Sequence, residues 1–150
     1  MKIWLLAAIA AFVAAPVMAD EPQDCFDARV RARIVHQVWT DIPRCGDDCV
    51  IMDWPWFLDL KVKRVLEGSA KKGVVTNVLS VQHTWIGAMD RTWLLRRNTA
   101  GGFNVVHDPD QGAPLPLCPA DAAPAEPYIT SGDGKTLDDL RRDADRRNGG

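Results

Sequence analysis

From Ala28 to Val38 the chain alternates: Ala28, Val30, Ala32, Ile34 and Val38 fall on one face, and Arg29, Arg31, Arg33 and Gln37 on the other. Successive strand side chains point to opposite sides, so a period of two predicts a half-buried β-strand. His36 interrupts the apolar side. A second strand is expected over Trp56–Leu66, with Leu58, Leu60 and Val62 facing one way and Asp59, Lys61 and Lys63 the other. The pattern changes face near Arg64-Val65, which predicts a β-bulge or strong bend. Val74–Gln82 is rich in β-branched residues and reads as a third strand. Thr92–Arg96 and Phe103–His107 read as two more, joined through Asn98–Gly102. A long first loop spans Thr40–Pro55, a polar turn spans Glu67–Gly73, and no internal repeat occurs. These elements suggest an all-β protein, a five-stranded OB-type Greek-key barrel.

The period then changes. Residues 108–127 hold six of the ten prolines and read as an extended wrap. Thr136 can cap a short C-terminal helix, with Asp139 three residues on in a capping-box pattern. Asp138 and Asp139 lie at its start and Arg146 and Arg147 at its end, as the helix dipole prefers. Leu137, Leu140 and Ala144 give it a narrow apolar stripe, so it should dock or fray and not stand alone.

The N-terminus reads as a secretory signal peptide: Lys2, an apolar run of 13 residues from Ile3 to Ala15, a break at Pro16, and Val17-Met18-Ala19 before an acidic start at Asp20. Cleavage near Ala19 would leave the 131 residues from 20 to 150, with 17 basic and 20 acidic side chains. That balance argues against nucleic acid as a partner. No later apolar run approaches the roughly 20 residues of a spanning helix. The four cysteines, Cys25, Cys45, Cys49 and Cys118, follow the leader. An even count in an exported chain favours disulfides, and three pairings are open. The favoured set is Cys45–Cys49 across a short turn and Cys25–Cys118 between the ends of the core. The longer bridge closes about 90 residues, worth on the order of 4 kcal/mol in the chain-entropy account.

One stretch resembles a known family. Phe57-Leu58-Asp59-Leu60-Lys61-Val62-Lys63-Arg64-Val65-Leu66-Glu67-Gly68 is similar to the strand and turn of netrin-module/TIMP-like domains, and the Val-rich strand 74–81 follows it as in that family. Trp93-Leu94-Leu95-Arg96 and Gly102-Phe103-Asn104-Val105-Val106 are similar to its closing hairpin. The resemblance covers roughly residues 25 to 118; with the leader and tail readings, the expected division is leader (1–19), TIMP/netrin-like OB-type domain (20–118) and Pro-rich wrap with short helix (119–150). Its motifs are core and turn residues, so it speaks for fold more than function. The family's metalloproteinase inhibitors chelate zinc through an N-terminal Cys. Cys25 is the sixth residue after the expected cut, and its nitrogen is an amide, so that mechanism does not carry over.

Catalytic signatures are thin. Gly134-Lys135-Thr136 imitates the end of a phosphate-binding loop, but Ile129 stands where that motif needs Gly. His36, His83 and His107 share no close ligand spacing. Asp108–Gly112 has only a fragment of a calcium loop. Ser69, Ser80 and Ser131 lie outside any nucleophile-elbow context. No catalytic residue, metal or cofactor is therefore expected.

The aromatics are more informative. Trp39 and Trp54 bracket the first loop with Ile51 and Met52, in a place where OB barrels often contact ligands. Arg29, Arg31 and Arg33 can form a basic ladder on the first strand. The expectation is a non-catalytic exported binding domain, periplasmic or secreted, that meets a protein or envelope component through the rim loop 40–55. The alternative is a small exported metal-dependent factor or enzyme using His83, His107 and nearby acids.

Overall fold

The computed structural model describes residues 25–41, 50–107, 114–130 and 134–148. Five strands, β1 (Ala28–Trp39), β2 (Trp54–Gly68), β3 (Gly73–Gln82), β4 (Arg91–Arg97) and β5 (Phe103–Val106), precede one helix, α1 (Leu137–Asn148). They close into a barrel in the order β1-β2-β3-β5-β4, with β4 returning to pair with β1. β3 and β5 run parallel, through Val78 opposite Phe103 and Leu79 opposite Asn104. This is the strand order of an OB-type Greek-key barrel, closed by the pairing of the first strand with the fourth.

The interior is made by the alternation of the strands. Ala28, Val30, Ala32 and Ile34 of β1 meet Trp56, Leu58, Leu60 and Val62 of β2, with Val78, Trp93, Leu95 and Val105 completing the core. Small Ala32 lies beneath the Trp93 indole, whose Nε1 donates to the Ala32 carbonyl at 3.1 Å. Long strands can close so small a barrel only by bending, and extra residues break the register at several points. Leu66 and Lys63 of β2 are passed over between successive pairs with β1, on either side of the expected bend at 64–65. On β3, Thr76 and Asn77 occupy the break beside Asp59, and Asn77 adopts a φ of +56°.

A further bulge at Val35 corrects the reading of β1's end. The pairing passes from Ile34 opposite Leu60 to His36 opposite Asp59, so every later side chain changes face. Gln37, expected outside, is buried and hydrogen-bonds within the barrel's end. Val38, expected in the barrel core, instead packs outside with Phe57, Leu79 and Ala144 of α1. His36 is exposed and contacts Asp145 at 2.9 Å.

The helix docks on this outer apolar patch. Thr136 caps it as expected: its Oγ1 accepts from the Asp139 N–H at 3.2 Å, and Asp139 accepts from the Thr136 N–H at 2.9 Å. Arg141 clamps Asp59 of β2 with a fork whose Nη2 donates at 2.8 Å. That carboxylate holds the guanidinium charged more firmly than usual. At the far end of α1, Asn148 Nδ2 donates to the Trp39 carbonyl at 3.0 Å.

The opposite end of the barrel is closed by Asp27. Its carboxylate is buried and accepts from Arg96 Nη1 (2.7 Å), Arg97 Nε (2.9 Å) and the Arg97 backbone N–H (2.7 Å). Its own N–H donates to the Leu95 carbonyl, and its carbonyl accepts from Ser69, so β1, β4 and the β2–β3 turn meet on one residue. Gly68 is required there, because a Cβ would lie 2.0 Å from the Asp27 oxygen and its φ is +75°. Next to it, Phe26 bridges Leu117, and the Cys25–Cys118 disulfide joins segments 93 residues apart. Such a bond persists in oxidising compartments. The expected Cys45–Cys49 pair and the Asp108–Gly112 turn lie outside the described residues. Among the described residues no helix is long and apolar enough to cross a membrane.

Burial alone pushes the Asp27 carboxyl up, but the bonds from Arg97 and Arg96 outweigh it and hold it below its ordinary 3.8. Its contribution to stability is thus complete above about pH 5 and is lost as pH falls through the lowered value. Asp27→Asn should lower urea-measured stability by about 3 kcal/mol at pH 7, and the gap from the unsubstituted protein should shrink below pH 4. Equal stability at pH 7 contradicts this account.

Candidate aromatic binding end

The end of the barrel away from Asp27 is built on tryptophan. β1 finishes on Trp39, β2 begins with Trp54 and Trp56, β3 finishes on Gln82, and the β3–β4 connection carries His83, Trp85, Ile86 and Met89. Trp56 is fully buried and forms the hub. Trp39 meets it edge-on at 5.6 Å and Trp85 at 5.7 Å, while Trp54 stacks at 6.1 Å. Edge-to-face and offset packing suits the charge distribution of these rings, so the cluster is both apolar and rigid. The hub's Nε1 donates to the Gln82 carbonyl at 3.0 Å.

Gln37, turned inward by the Val35 bulge, pins the β3–β4 connection. Its Nε2 donates to the Ile86 carbonyl at 2.8 Å, and its Oε1 accepts from the Ile86 N–H at 3.2 Å. Gln82 Nε2 adds a bond to Thr84 at 3.1 Å. The His83 ring stands edge-on to Trp54 at 6.0 Å and donates to the Met52 carbonyl, joining this connection to the first loop. Trp54 Nε1 and Gln82 Oε1, on directly paired residues of β2 and β3, are both buried and have no hydrogen-bond partner. A buried donor and a buried acceptor thus have unused capacity.

Two large apolar side chains beside this hub are open to solvent. Trp85, against Trp56, is 56% exposed, and Met52, whose carbonyl is held by His83, is 58% exposed. Trp39, Trp54, Ile51 and Met52, expected at the rim, are all at this end. Trp85, Gln37 and Gln82 were not assigned to it from the sequence. For Trp85 and Ile86 a signal existed: large apolar residues in a stretch with no alternation and a glycine at 87. For the two glutamines none did, because their roles depend on a bulge.

The basic ladder stands elsewhere. Arg29 lies toward the Asp27 end, paired with Glu67 at 3.6 Å and placed over the Phe26 ring at 4.9 Å. Arg31 and Arg33 are exposed on the barrel's outer wall. Of the residues weighed for metal chemistry, His83 belongs to the aromatic end and His107 follows β5. Among the described residues no three His, Cys, Asp or Glu side chains gather as a metal site.

Comparison of the chain with protein-family models, with curated proteins and with solved structures finds no match.

The hub and the open ring should separate in mutagenesis. Trp56→Ala should cost about 3–5 kcal/mol in urea unfolding, as for other buried large side chains. Trp85→Ala, at the exposed edge, should cost about 1 kcal/mol, the scale of one aromatic pair. Similar losses from both would mean the exposed ring is part of the core.

Proposed function

We propose that this is a non-catalytic binding domain, exported by a leader cut near Ala19, that holds a protein or envelope component against the aromatic end of its barrel. One observation carries the reading: Trp85 and Met52 stand open to solvent beside a buried tryptophan hub. Trp and Met are enriched where partners bury surface. The rigidity of the cluster adds to the argument, since a pre-ordered surface loses little entropy on binding.

The netrin/TIMP-like relationship belongs to the same proposal. Its support is positional: the run 57–68 lies in β2, the Val-rich run in β3, and the hairpin residues in β4 and β5. Export draws support from the Cys25–Cys118 bond. Cys25 being committed to that bond, the reading assigns binding to the aromatic rim and not to an N-terminal cysteine.

The experiment is capture from envelope extract by the immobilised, oxidised protein, with Met52→Asp/Trp85→Ala as comparison. A specific captured species should fall about thirtyfold with the double variant, the scale of an interface hot spot, while its thermal unfolding still resembles that of the unsubstituted protein. Capture that the double variant leaves unchanged would refute the proposal.

A further inference from the structure

The outer wall of β1 and β2 carries a second feature, independent of the aromatic end. In the register of these strands Arg31 stands directly opposite Arg64, and Arg33 directly opposite Lys61. Like charges opposed across a sheet are unfavourable. Lys63, displaced at the bulge, joins them through an ion pair with Asp90. All five cations are exposed. Asp90 is held below the usual carboxylate range by its bond to Lys63, with the charges of Arg31 and Arg33 adding to the effect. Lys63 is the cation that contacts this carboxylate. The whole chain is at −2, so positive charge has been gathered onto this wall.

Apolar side chains stand among these cations. Val74 of β3 pairs directly with Lys61, Val35 occupies the β1 bulge beyond Arg33, and Leu66 occupies the β2 bulge beyond Arg64. All three are exposed. A fully hydrated polyanion would use the cations alone. The boundary between lipid headgroups and acyl chains uses both kinds of side chain, with cations at the phosphates and aliphatic groups just beneath.

We propose that this wall is a docking face for a membrane surface rich in acidic phospholipids, with Arg31, Arg33, Lys61, Lys63 and Arg64 meeting phosphate groups and Val35, Leu66 and Val74 entering the interface. Each cation near such a surface strengthens binding by about fivefold. The face leaves the aromatic end free for its partner.

Co-sedimentation of the oxidised protein, as processed by its own cell, tests this with two vesicle types: phosphatidylcholine alone, and phosphatidylcholine with about one-third phosphatidylglycerol. Binding should need the acidic lipid and disappear between about 0.05 and 0.5 M salt. Arg31→Gln/Lys61→Gln/Arg64→Gln should weaken it about a hundredfold without lowering the melting temperature, since it removes opposed like charges. Val74→Asp, a single exposed change, should weaken it about tenfold and serves if the triple variant does not fold. Arg142→Gln/Arg146→Gln on α1 should have no effect. Equal binding to both vesicle types, binding unaffected by the wall variants, or binding to soluble polyphosphate with none to vesicles would each overturn the proposal.

Discussion

The architecture depends on one buried carboxylate. Asp27 sits immediately before β1 and receives three bonds from Arg96 and Arg97 at the end of β4. These strands are far apart in sequence, and their pairing turns an open sheet into a barrel. Two guanidinium groups against one carboxylate give a charge-assisted network, and its partial burial raises both its strength and the cost of breaking it. Gly68 lets the β2–β3 turn come down onto the same residue, and the Cys25–Cys118 bond anchors the final wrap beside it. Arg96 also donates to the Ala123 carbonyl, so the wrap is tied to the same knot.

With that end sealed, the rest of the molecule can be divided by face. The inward rows of the strands fill the core. The outer surface near Val38, Phe57 and Leu79 is covered by α1, held through Arg141 and Asp59. Among the described residues two surfaces stay open: the tryptophan-lined end, where Gln37 and His83 brace the loops, and the cationic wall of β1 and β2. Bulges create both. The one at Val35 turns Gln37 inward to hold the rim, and those at Lys63 and Leu66 set Arg64 opposite Arg31 and expose an aliphatic group beside it.

This division also explains what the sequence could reveal. Strand positions follow from alternation, a local signal, and the observed strands lie within about two residues of the expected ones at each end. The Thr136–Asp139 cap was legible for the same reason. What stayed hidden depends on register. Nothing around His36-Gln37-Val38 announces that an extra residue at Val35 reverses the faces, so Gln37 and Val38 read the wrong way round. The arginine ladder was legible on β1 alone, but the opposing Lys61 and Arg64 require knowing which β2 residue lies across from each arginine. The rim was half legible: Trp39 and Trp54 flank a loop, whereas Trp85 reaches them only through the fold.

Closure of β1 onto β4 is the claim on which these surfaces depend, and amide hydrogen exchange measures it most directly. The β1–β4 seam, from Ala28 opposite Leu95 to Ala32 opposite Arg91, should exchange as slowly as the β2–β3 ladder, both opening only when the whole domain unfolds. Seam amides exchanging orders of magnitude faster than protected β2–β3 amides would show an open sheet and contradict the account.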